Sequence, residues 1–210
     1  VLAVILLLVG GAVAVATLVL SGHETLIPFV PPKRAAFTFQ MGDVSTTSLG
    51  GKHADTVGTQ VAPQVQKTLS DLYGGLFLDP KAWSSGPPSD VYDHFTDRAV
   101  DQAKSDGAAL GLGDLTGTID TLKVESSNLE VHVLSDHANA PVAAVAKVQF
   151  VANATTKDGK HLKITRDAEY LMENVDGTWL VSGYPKNLLS VEVVTPSAGP
   201  SGTSGSGASS

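Results

Sequence analysis

The chain has 210 residues, 21 acidic against 14 basic, with a formal net charge of −7 and no cysteine. An acidic chain without a Lys/Arg cluster repels a phosphate backbone, so nucleic-acid binding is excluded as an expected function. The missing cysteines exclude disulfides, thiolate metal sites and lipid attachment at cysteine, and stability has to come from packing.

Residues 1–20, VLAVILLLVGGAVAVATLVL, carry no charge, and Thr17 is the one hydroxyl. At a rise of about 1.5 Å per residue such a run spans about 30 Å, the thickness of a bilayer's hydrocarbon core. Gly10 and Gly11 are compatible with a membrane-spanning helix. The expectation is an uncleaved single-pass transmembrane anchor over 1–20. A rival reading is a signal peptide cut at Ala14-Val15-Ala16, which would free a secreted domain. That motif lies inside the apolar run, which argues against cleavage. Lys33 and Arg34 follow the span and pull towards a cytoplasmic placement. Long domains translocate largely regardless of such charges, and the folded domain is expected outside the cell membrane.

Residues 21–54 read as a linker: Pro28, Pro31 and Pro32 stiffen its start, and Gly42–Gly51 is rich in Ser, Thr and Gly. The domain is expected over 55–194. Val61, Val65, Leu69 and Leu72 recur at helical spacing, so a helix is predicted from about Gln60, with Pro63 in its first turn and Gly74-Gly75 as its stop. After Gly86, Pro87 and Pro88, Ser89 suits an N-cap. Val91, Phe95, Ala99 and Ala103 predict a second helix from Asp90 to about Ser105.

From Thr121 the period becomes two. Leu129, Val131 and Val133 form one alternating set, and Val142, Ala144, Ala146, Val148 and Phe150 a second. Leu162, Ile164, Ala168, Tyr170 and Met172 form a third, broken by Arg166, and Trp179 and Val181 begin a fourth. Asp158-Gly159 and Asp176-Gly177 are hairpin dipeptides. Two helices followed by a meander of four strands predict an α+β fold, with the helices packed on a curved, cone-shaped antiparallel four-stranded sheet. The Ser/Gly-rich residues 195–210 have nothing to bury and are expected to be a disordered tail.

This element order resembles the nuclear transport factor 2-like (cystatin-like α+β cone) superfamily. So does the closing hairpin, Tyr170-Leu171-Met172 through Asp176-Gly177-Thr178-Trp179-Leu180-Val181. Anchor plus domain looks like the actinobacterial Mce-associated membrane proteins, and like membrane-tethered assembly factors of type IV secretion systems. The anchor, the fold that this resemblance implies and the missing catalytic constellation together lead to the expectation of an extracytoplasmic, non-catalytic module. It would bind a partner protein or an apolar ligand in a cell-envelope transport or secretion assembly, and a homodimer through the sheet is compatible with it.

The same superfamily contains isomerases, dehydratases and hydrolases that place acids and histidines inside the cone, which keeps an envelope enzyme as the alternative. The residues that would serve it are Asp90, His94 and Asp97, with Tyr170 and Trp179 towards the pocket. On a continuous helix Asp90 and His94 are i, i+4 and His94 and Asp97 are i, i+3, so they share a face, and an acid against an imidazole can act as a general base. The same stripe opposite Val91, Phe95 and Ala99 is also what a solvated helix face looks like, and that reading is preferred. Asp101 is a further candidate of the same kind, whereas Asp93, adjacent to His94, points about 100° away from it. His132 falls on the polar side of its strand, and Asp136-His137 reads as turn chemistry. No two-His-plus-acid spacing, phosphate-cradling loop or nucleophile elbow occurs, and no metal or cofactor is expected. Asn153-Ala154-Thr155 matches the glycosylation acceptor pattern, which arises often by chance.

Overall fold

The computed structural model describes residues 36–50, 55–186 and 189–194. The expected anchor and tail lie outside them, and among the described residues no helix is long and apolar enough to cross a membrane.

Helix α1 runs from Asp55 to Phe77. Its buried stripe is Val57, Val61, Val65, Leu69, Leu72, Tyr73, Leu76 and Phe77, the i+3/i+4 pattern of an amphipathic helix seated on a core. It is longer than the spacing predicted at both ends. Pro63 lies in its interior, on the exposed side, so the Thr59 carbonyl that loses its donor is on the solvent side as well. Gly74 and Gly75 are helical and buried, and do not stop the helix.

The predicted second helix is two pieces. Ser89–His94 is a 3-10 turn, Phe95 and Thr96 are extended, and helix α3 is Asp97–Asp106, with the one-turn helix α2 at Ala82–Ser85 before them. The break has a cause: Phe95 forms a parallel bridge to Val181, and the Thr96 amide donates to the Val181 carbonyl at 2.9 Å. A helix through Phe95 would forfeit that bond. Two further 3-10 turns, Gly107–Leu110 and Gly113–Leu115, lead to the main strands.

The four predicted strands form an antiparallel meander: β2 Ile119–Ser135, β3 Pro141–Thr156, β4 His161–Val175 and β5 Thr178–Gly183. Both Asp176 (φ 50°) and Gly177 (φ 85°) take the left-handed conformation, as a tight hairpin turn of this kind requires. The sheet exceeds the expected four antiparallel strands. β1, Gln40–Ser48, pairs parallel with β2, and β6, Leu189–Val193, pairs with the first part of β4 while β5 pairs with its last part. The stretch read as linker therefore contains an edge strand. Phe37 and Phe39, just before it, pack on the core. The chain returns from β1 to β2 through α1 to α3, the long crossover that a parallel pair needs.

The result is a mixed α+β domain with an open, curved, mostly antiparallel sheet. Register shifts at three points along β2 bend it. Its inner face, Leu129, Val131, Val133, Ala146, Val148, Phe150, Ile164, Tyr170 and Met172, is buried against α1. Its outer face carries Glu130, His132, Lys147, Asp167 and Glu169.

Candidate functional site

Arg166 sits at the inward parity of β4, between Ile164 and Ala168, and is 1% exposed. Its Nη1 donates to the Leu110 carbonyl at 2.6 Å. Its guanidinium lies 5.9 Å from the centre of the Phe77 ring. Two phenols complete the cluster: the hydroxyls of Tyr73 on α1 and Tyr170 on β4 are 3.0 Å apart, and both interact with the guanidinium. Burial opposes the charged guanidinium, but the Tyr170 and Tyr73 oxygens outweigh it and the group stays a cation. Tyr73 is held well above the usual phenol range, first by burial and then by Tyr170, with Arg166 opposing, so it is a neutral donor.

Around this cluster the interior is filled by rings. Tyr73 is 4.9 Å from Phe39, 5.2 Å from Phe77 and 5.4 Å from Phe150, centre to centre. Contacts of this sort fix the side chains in one arrangement, each pair adding about 0.5–1.5 kcal/mol beyond area burial.

The five residues singled out in the sequence do not converge. Asp90 and His94 are on the 3-10 turn, where His94 feels Asp90 electrostatically. His94 is half-buried, and burial lowers its pKa; Asp71, Asp90 and Asp93 oppose that, and Lys67 adds to it. Asp97 starts a separate helix beyond the break and is exposed, where it complements the N-terminal dipole of α3. The shared face of His94 and Asp97 assumed a continuous helix and is not formed. Tyr170 belongs to the buried cluster. Trp179 is buried on β5, and its carbonyl accepts from Thr68 Oγ1 at 2.8 Å, tying α1 to the sheet edge.

The outer face is a different surface. Glu130, Lys147 and Glu169 align across three strands, with Lys147 Nζ 3.5 Å from Glu169. Beside them runs the row His132, Val145, Leu171. His132 contacts Ser45 Oγ at 2.8 Å and Thr47 Oγ1 at 3.2 Å, both on β1, so this exposed imidazole bonds the edge strand to its neighbour. Grooves of about 350 and 480 Å³ lie on this face, between Ser45 and Glu169 and between Lys147 and Pro185.

Arg166 and Tyr73 were not among the candidates read from the sequence. Arg166 stood out there only as an interruption of an alternating strand. Among the described residues no group of three or more His, Asp or Glu side chains is placed to hold a metal ion. Set against protein-family models and against curated proteins, the chain matches none.

Proposed function

We propose that this chain is a membrane-anchored, extracytoplasmic, non-catalytic module of nuclear transport factor 2-like cone shape, which binds a partner protein or an apolar ligand within a cell-envelope transport or secretion assembly. The observation that carries the reading is the filling of the sheet's inner face by Tyr73, Phe77, Phe150 and the rest of the α1 stripe. With segment 107–117 seated, side chains of the chain itself fill this face, so a ligand enters it only by displacing some of them. The buried cation at that place is a guanidinium between phenols, and among the described residues no carboxylate or imidazole contacts it that would move a proton at neutral pH. The broad outer face, with its ladder of charges and the exposed Leu171, is then the surface available for a partner. The apolar run 1–20 supports the anchor, as in the Mce-associated proteins that the layout resembles.

The test is to extract the full chain in uncharged detergent and measure the mass of the particle, for the native sequence and for Lys147→Glu/Leu171→Glu. A stoichiometric companion, whether a protein, a lipid or a second copy, that leaves with the outer-face substitutions supports the reading. A bare monomer in both samples refutes it.

A further inference from the structure

We propose that Arg166, Tyr73 and Tyr170 form a closed binding site for the carboxylate head of an apolar-tailed ligand, covered by the glycine-rich segment 107–117. The inference deepens the apolar-ligand half of the function proposed above.

A guanidinium has five N–H groups and cannot be neutralised in a protein. One donates to the Leu110 carbonyl, the phenol oxygens face others, and Nε has no partner among the described residues. Of the two phenolic protons, one bridges the tyrosine pair and the other is left over. Donors therefore exceed acceptors around a cation that is 1% exposed. A buried cation without an anion is costly to keep, and an apolar side chain of similar volume would serve packing better. The arrangement has the form of an anion site, in which a carboxylate would accept from Nε and from the spare hydroxyl.

Phe77 lies 5.9 Å from the guanidinium, Phe150 is the cross-strand neighbour of Arg166 and Leu110 supplies the carbonyl, so the head is set among apolar residues. The rest of any acid reaching Arg166 must be apolar as well.

Leu110 and Leu112, 3% and 2% exposed, plug the core from a segment whose Gly107, Gly113 and Gly117 have φ of 47°, 56° and 87°. Backbone of this type changes conformation at little steric cost. The bond from Arg166 to the Leu110 carbonyl ties the middle of the segment to the sheet. A carboxylate competes for the same guanidinium. When it takes those donors the carbonyl is released, and the tail can occupy the space that Leu110 and Leu112 leave.

The test is native mass spectrometry of the full chain in dodecyl maltoside, with laurate or dodecanol added at equal concentration, on the native sequence, Arg166→Met and Tyr170→Phe. The expected result is one laurate per chain and at least tenfold weaker dodecanol. Arg166→Met should weaken laurate tenfold or more and Tyr170→Phe about threefold. Laurate should also speed hydrogen exchange at the amides of 108–116. If Arg166→Met does not fold, Tyr170→Phe, which keeps the ring, carries the test. The proposal is overturned if laurate does not bind one to one, if dodecanol binds equally well, or if the folded variants bind laurate like the native chain. A partner still lost on outer-face substitution while laurate fails would remove this site and leave the module.

Discussion

The strand β1 rests on a contact that one atom can probe. A Cβ added at Gly58 of α1 would lie 2.6 Å from Thr46 Oγ1 and 3.1 Å from Val44 Cγ1, both on β1. The first distance is a clash, and a β-branched side chain at χ1 cannot easily swing away. Two effects of opposite sign act on Gly58→Ala. Alanine favours the helix by about 0.8–1.0 kcal/mol over glycine. Overpacking costs about 1–3 kcal/mol. The net expectation is a loss of up to about 2 kcal/mol. In Thr46→Ala the hydroxyl is gone, and the second substitution should then realise most of the helix gain. Urea unfolding of the four members of the cycle measures the coupling, expected at about 1 kcal/mol or more in favour of the double variant. Effects of the two substitutions that simply add, within about 0.3–0.5 kcal/mol, would show that α1 does not press on β1 at this point.

His94 should titrate below the ordinary imidazole value of about 6.5, because burial lowers it, and Asp71→Asn should lower it further by removing the first of the opposing charges; imidazole shifts followed by NMR read both, and a midpoint above that of a free histidine contradicts the placement of the turn. Asp106 accepts from Tyr184 Oη at 2.6 Å, Gln102 at 2.8 Å and Lys186 at 3.1 Å, and these bonds, Tyr184 first, lower its pKa. Since the folded value lies below the unfolded one, its contribution is complete above about pH 4 and disappears as pH falls through the folded value. Asp106→Asn should therefore be less stable than the native chain at pH 6, with the gap closing towards pH 2.5 in chemical denaturation. Gly177→Ala forces a side chain into φ 85° and should cost about 1–2 kcal/mol; a neutral result by thermal melting would argue against the tight turn between β4 and β5.

The meander was legible because its cues are local. Alternation in β2 to β4 gave the faces, and the two Asp-Gly dipeptides gave the hairpins, since positive φ is cheap at few residue types. The α1 stripe was legible for the same reason. What failed were the features that depend on distant partners. β1 reads GDVSTTS over most of its length, without apolar alternation, because a parallel edge strand that stays largely exposed is held by its ladder to β2 and by His132. The break at Phe95 depends on a bond to Val181, 86 positions away in sequence (181 − 95). Neither leaves a mark in its own residues, so the polar stretch looked like linker and the i+4 run looked like one helix.

The site illustrates the same division from the side of energy. Asp90, His94 and Asp97 drew attention because acids and a histidine cluster in sequence, but Asp90 and Asp97 are exposed and His94 is only half-buried, so none of them demands a fully buried partner. Arg166 sits in the inward register of β4, where the neighbours at two-residue spacing are Ile164 and Ala168. A charge at that parity must be desolvated whatever the rest of the fold does, at a cost of several kcal/mol. Keeping the register places the guanidinium inside and requires partners there. Those partners are an aromatic stripe residue of α1, a tyrosine four positions on along β4 and a carbonyl from the 3-10 segment, and only folding brings them together. The parity of a buried charge was thus readable in advance, whereas the acceptors that answer it were not.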